Sequence, residues 1–98
     1  MNYNEAIEQD GRLIILKELA KQVDGRLNET LLTRVLDAFG ITRSRDWVRT
    51  QIRAMAELGA VTFTETGTVF VAEITRRGVD HVERRVLIEG IARPSPVH

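Results

Sequence analysis

The sequence predicts one mainly helical domain closed by a β-hairpin, in the order α-α-α-β-β-α. Three observations carry that expectation. Apolar residues recur at helical spacing as far as Leu58, capping residues and glycines interrupt them at regular intervals, and after Gly59 the period changes from 3.6 to 2. A chain of 98 residues has room for one hydrophobic core and no second lobe. With no cysteine, disulfides and thiolate chemistry are excluded and the core must be hydrocarbon. No apolar run approaches the roughly 20 residues that cross a bilayer, so no membrane partner is expected. The segment Met1 to Asp10 is acidic and lacks a small-residue cleavage site, which reads as a cytoplasmic protein.

The first helix is expected from about Asn4 to Gln22, with Leu13, Ile14, Leu16, Leu19, Ala20 and Val23 forming a broad buried stripe. Gly11 is its weak point, and Asp10 could act there as a second N-cap. Asp24-Gly25 marks a turn. Asn28 caps a second helix, with Glu29 at the favourable end of the dipole and Leu31, Leu32, Val35, Leu36 and Phe39 at helical spacing before Gly40. After the short link Gly40 to Arg43, Ser44 caps a third helix over about Arg45 to Leu58. Two helices joined this tightly suggest a helix-turn-helix.

Val61 and Phe63 then alternate with Thr62 and Thr64. Thr66-Gly67 reads as a two-residue hairpin loop, and Thr68 to Ile74 as the returning strand. That loop pairs Phe63 with Phe70 and Val61 with Ala72 on the core face, leaving Thr62, Thr64, Val69 and Val71 on the other. Thr75 caps a last helix, about Arg76 to Val86. Residues 1–88 are thus expected to form the domain and residues 89–98, with Pro94 and Pro96, a C-terminal tail.

Three helices, a hairpin and a further helix make the topology of a winged helix-turn-helix, in which the third helix reads DNA. With Val48, Ile52, Met55 and Ala56 as its buried stripe, Asp46, Thr50, Arg53 and Glu57 point away and Arg45 and Arg49 flank them. Arg43 and Ser44 stand at its amino end. Residues 43–53 hold four arginines and one acid in a chain whose formal net charge is zero, so any attraction to a polyanion is local. The planar guanidinium fork suits guanine edges and phosphates. The competing reading is that these arginines solvate one exposed face. Trp47, at the edge of the stripe, is expected to fold over the core and the first helix, and Gln51 is a possible further polar contact.

The hairpin tip, Glu65-Thr66-Gly67-Thr68, carries an acid where groove-binding wings place a cation, so the wing is read as structural, or as a protein contact through Val69 and Val71. In the last helix Arg76, Arg77, Arg84 and Arg85 alternate with acids, which reads as a solvated face. A phosphate contact by Arg76 or Arg77 is the sharper alternative. His81 has no companion at ligand or triad spacing and is expected at the surface or half-buried. No phosphate loop, nucleophile elbow or paired-acid motif is present, so neither an enzyme, a metal nor a cofactor is expected. The first helix is more apolar than one face requires, and a homodimer would bury the surplus, with Val86, Leu87, Ile88 and Ile91 as a further adhesive segment.

The stretches Ile14-Ile15-Leu16-Lys17-Glu18-Leu19-Ala20, Asn28-Glu29-Thr30-Leu31-Leu32, Ser44-Arg45-Asp46-Trp47-Val48-Arg49-Thr50, Ala56-Glu57-Leu58-Gly59-Ala60-Val61 and Ile74-Thr75-Arg76-Arg77-Gly78-Val79-Asp80 resemble a small phage protein family of Mu-like prophages, over nearly the whole chain. The closing Gly90-Ile91-Ala92-Arg93-Pro94-Ser95-Pro96 is similar to that family's tail. The resemblance implies a winged helix-turn-helix of the kind found in ArsR and MarR regulators. Val48, Ile52 and Met55 match buried positions of the recognition helix, and Gly59 the glycine before the wing. DNA contact is thereby implied for Ser44, Arg45, Asp46, Thr50 and Gln51. The metal cysteines of ArsR sensors are absent.

The expectation is therefore a DNA-binding protein of phage or prophage origin that regulates transcription. Double-stranded DNA meets Arg43, Ser44, Arg45, Asp46, Arg49, Thr50 and Arg53, and the protein is a homodimer. The alternative is a protein-interaction module of the same fold, an accessory factor in phage development or assembly.

Overall fold

A computed structural model describes residues 1–95. Four helices and three strands follow one another as α1 (Tyr3–Lys21), β1 (Arg26–Asn28), α2 (Glu29–Ala38), α3 (Arg45–Glu57), β2 (Val61–Thr66), β3 (Val69–Ile74) and α4 (Arg76–Val82). The fold is a mainly helical winged helix: α2 and α3 form the helix-turn-helix, and β2 and β3 form the wing.

α1 is continuous, without a second start at Asp10. Asn2 caps it, its side chain accepting from the Glu5 amide at 2.9 Å and donating to the Glu5 carboxylate at 3.3 Å. Gly11 is buried within it for a packing reason. A Cβ there would lie 3.0 Å from Cη2 of Trp47, so the indole lies over α1 as the sequence suggests. The helical cost of glycine, about 1 kcal/mol relative to alanine, is set against that close approach. Val23 does not join the buried stripe. α1 stops before it, and the side chain stands fully in solvent.

Asn28 and Ser44 cap α2 and α3, each accepting from an amide three residues on, Leu31 at 2.9 Å and Trp47 at 3.1 Å. The apolar stripes of both helices meet α1 in a core built on Ile15, Leu16, Leu19, Leu32, Leu36 and Ile52. Phe39 and Leu31 fall outside that stripe and are exposed.

The short β1 has no counterpart in the sequence reading. Three residues show no alternation, and they become a strand by pairing antiparallel with β3, giving the sheet order β1-β3-β2. The hairpin register also differs from expectation. Thr66 pairs with Val69, so Gly67-Thr68 forms the loop and Gly67 adopts φ +61°. Phe63 therefore lies opposite Ala72 and Val61 opposite Ile74. A shift of two residues in the partner preserves which face each side chain takes. Phe63 and Phe70 still stack diagonally with ring centroids 4.7 Å apart.

α4 is shorter than expected, ending at Val82, and Arg84 then takes φ +64° and turns the chain back. Thr75 caps α4 through the Gly78 amide and donates to the carbonyls of Gly59 and Ala60. Beyond the turn the chain lies against α1. The Ala92 amide donates to the Gln9 carbonyl at 3.1 Å, and Arg12 donates to the Gly90 carbonyl at 2.8 Å. Ile88 and Ile91, read from the sequence as part of an adhesive segment, are buried in the chain's own core. Pro94 is buried as well, and Pro96 lies outside the described residues.

His81 corrects the expectation of a surface or half-buried side chain, because it is fully buried. Its Nδ1 accepts from the Ile88 amide at 3.0 Å, which leaves Nε2 as the protonated nitrogen donating to the Ala92 carbonyl at 2.9 Å. One neutral imidazole thus ties α4 to both ends of the returning segment.

Candidate nucleic-acid interface

The outward face of α3 and the wing beside it form the surface on which the seven sequence-named residues fall. Arg45, Asp46, Thr50 and Arg53 are exposed there, Ser44 is exposed as the N-cap, and Arg43 and Arg49 are half-buried. These side chains share one face because Val48, Ile52 and Met55 point into the core. Among the described residues, no three of His, Cys, Asp and Glu come together to hold a metal ion.

The arginines are not equivalent. Glu29, the first residue of α2, is fully buried and gathers two of them. Its carboxylate accepts from Nε of Arg49 at 2.7 and 2.9 Å, from Nε of Arg45 at 3.2 Å, and from the Phe70 amide of β3. Arg49 also donates to the Thr68 carbonyl at the wing tip. Burial alone pushes the Glu29 carboxyl up. The Arg49 guanidinium, the Phe70 amide and the Arg45 guanidinium outweigh it and hold the group below its usual value, so it stays ionised. The same bond raises Arg49 further above its already high value. One carboxylate thus locks α2, α3 and the wing together and takes one unit of positive charge out of this face.

The remaining two arginines lie over aromatic rings. The Arg53 guanidinium sits 4.8 Å from the Phe70 centroid, with Arg49 at 4.9 Å, and Arg43 sits 5.8 Å from the Trp47 ring. These contacts fix the stems without using hydrogen-bond donors, so Arg53 keeps its fork for a partner. A cleft of about 370 Å³ between the start of α3 and the wing is lined by Ser44, Arg45, Arg49, Thr68, Asp46 and Glu29. Its two cations face two carboxylates.

Gln51, expected as a possible outer contact, faces inward instead. It is fully buried, accepting from Nε of Arg12 at 2.8 Å and donating to Glu8 at 3.3 Å. In α4, Arg76 pairs with Asp80 at 3.4 Å and Arg77 donates to the Leu58 carbonyl, as expected of a solvated face with local partners. Sequence reading missed the role of Glu29. Its position after an N-cap explains a carboxylate by the helix dipole alone, and nothing local announces the long-range pairing.

No family model matches the chain. It is 39% identical over 93 residues to the uncharacterized protein gp26 of Escherichia phage Mu, a match that spans 95% of this chain and 96% of that protein. It is 36% identical over 78 residues to an uncharacterized protein of Haemophilus influenzae, covering 79% of this chain and 76% of the other. No solved structure matches it.

Proposed function

The chain belongs to the protein family of phage Mu gp26, and from that premise we propose that it is a DNA-binding protein whose α3 enters the major groove, regulating transcription for a phage or prophage rather than catalysing a reaction. The observation that carries this reading is the exposed edge of α3 beside the wing, where Arg53, Thr50, Asp46 and the free end of Arg45 stand on one face. Such a helix is the element that fits a groove about 12 Å wide. Asp46 can accept from a cytosine amino group and Arg53 can donate to guanine. Arg45 has its Nε on Glu29, and its terminal amino groups have no bond among the described residues, so they are available to a phosphate. Arg49, whose donors serve Glu29 and Thr68, acts as a brace for the wing.

The test is fluorescence anisotropy of the full chain with mixed-sequence duplex DNA, starting at about 20 mM salt. Saturable binding is expected, with affinity falling as salt rises by a log–log slope of about −0.9 per phosphate neutralised. Absence of binding at the lowest salt overturns the reading. That outcome favours the second reading, a protein-interaction module serving phage development or assembly, which the engagement of Arg45 and Arg49 by Glu29 and the acid at Glu65 support.

A further inference from the structure

α3 is seated on α1 by two neighbouring contacts of different kinds. Trp47 and Gln51 lie about one helical turn apart and so share a face of α3, and they meet consecutive residues of α1. The Trp47 indole lies over Gly11, where a Cβ would stand 3.0 Å from Cη2. Gln51, fully buried, accepts from Nε of Arg12 at 2.8 Å, and its amide donates to Glu8, about one turn earlier on α1, at 3.3 Å. A second nitrogen of Arg12, Nη1, donates to the Gly90 carbonyl of the returning segment at 2.8 Å. That segment is itself held by His81 through the Ile88 amide and the Ala92 carbonyl. The guanidinium therefore meets Gln51 with its other arm already anchored.

This arrangement controls the roll of α3 about its own axis. The buried contacts that α3 makes through Val48, Ile52 and Met55 are apolar, and apolar burial has no preferred direction. A hydrogen bond has one, because it weakens steeply as donor, proton and acceptor bend out of line. Roll in turn sets where Asp46, Thr50 and Arg53 stand on the outward face. With side-chain tips about 5–6 Å from the helix axis, a roll of about 10° carries each of them about 1 Å. A recognition site tolerates only about 0.5 Å.

We propose that Arg12 is a positioning residue for base readout: its guanidinium fixes the roll of α3 through Gln51 while the Gly90 carbonyl anchors it. The inference rests on the DNA-binding reading and adds to it a residue of α1 that approaches no base, since Arg12 meets α3 from its inner side. Lysine would not replace it. A single ammonium nitrogen cannot hold Gln51 and Gly90 at the two positions that the planar fork serves.

The test first selects, from a random pool, the duplex that the wild-type full chain binds best. Fluorescence anisotropy then gives the ratio of its affinity for that duplex to its affinity for mixed-sequence DNA. Arg12→Lys, which keeps the charge, and Gln51→Met, which keeps the length of the side chain, should each lower that ratio by at least about fivefold, the low end of one good base contact. Both variants remove the same bond, so the double variant should lose less than the product of the two single losses. A merely structural role would not move the ratio, because partial unfolding lowers both affinities by the same factor, and a thermal melt gives the folded fraction of each variant. Ratios that stay at the wild-type value in both single variants overturn the proposal while leaving DNA binding in place. So do losses that multiply in the double variant. A wild type that binds every duplex alike overturns base readout and the role of Arg12 with it, whereas one that binds no duplex at the lowest salt overturns the DNA-binding reading itself.

Discussion

Glu29 holds Arg49 by the Nε of its guanidinium at 2.7 Å, across twenty residues of sequence, and the same carboxylate accepts the Phe70 amide of the wing. Helix-turn-helix and wing are therefore one rigid piece, fixed by a buried acid that also removes charge from the face where DNA would bind.

That carboxyl titrates below its ordinary value in the folded chain, because the Arg49, Phe70 and Arg45 donors outweigh its burial. A group depressed on folding stabilises the native state above its unfolded pKa, about 4.3 for glutamate. The contribution is lost as pH falls through the lower folded value, where both states become protonated. Urea unfolding from pH 7 to pH 2 should therefore show an acid-side loss of stability that Glu29→Gln makes shallower. An acid limb of the same depth in both proteins would count against the assignment.

Removing either arginine beside the wing separates structure from binding. Arg49→Ala leaves the buried Glu29 carboxylate with only Arg45 and an amide, so its melting temperature should drop well below that of the wild type. Arg53→Ala, whose side chain is exposed and bonded to no acid among the described residues, should melt close to the wild type. In the anisotropy titration Arg53→Ala should nonetheless weaken DNA binding and flatten the salt slope by about 0.9 if it neutralises one phosphate.

Glu29→Gln has an opposite expectation in that titration. Replacing the acid frees a full positive charge beside Arg45 and Arg49, so duplex DNA should bind more tightly and with a steeper salt dependence. Weaker binding would mean that the brace matters more to the interface than the charge it removes.

Gly78 packs where no side chain fits. A Cβ would stand 2.3 Å from the Ala60 carbonyl oxygen and 2.8 Å from Cγ1 of Ile74. Gly78→Ala should cost about 1–3 kcal/mol or more, as overpacking does, despite alanine's better helix propensity. Denaturant unfolding measures it directly.

His81→Leu should loosen the carboxyl-terminal segment without unfolding the domain. The Ile88 amide and the Ala92 carbonyl lose their partner inside the protein, at a cost of about 1–3 kcal/mol for each group left unsatisfied. Hydrogen exchange at Ile88 and Ala92 should accelerate, while amides of α2 and α3 keep their protection.

The sequence by itself determined the order of the four helices and the hairpin, because helical and strand periods and the caps Asn28, Ser44 and Thr75 act within a few residues and are written locally. It likewise placed Arg43, Arg45, Arg49 and Arg53 around one helix, since the buried stripe of α3 assigns the opposite face. Only the tertiary structure decided which of those arginines are engaged. Glu29 reaches Phe70 over 41 residues, and Arg12 reaches Gly90 over 78. Such pairings have no period, so Gln51, His81 and β1 acquire their roles only when distant segments meet. Burial then forces each polar group to find a partner there.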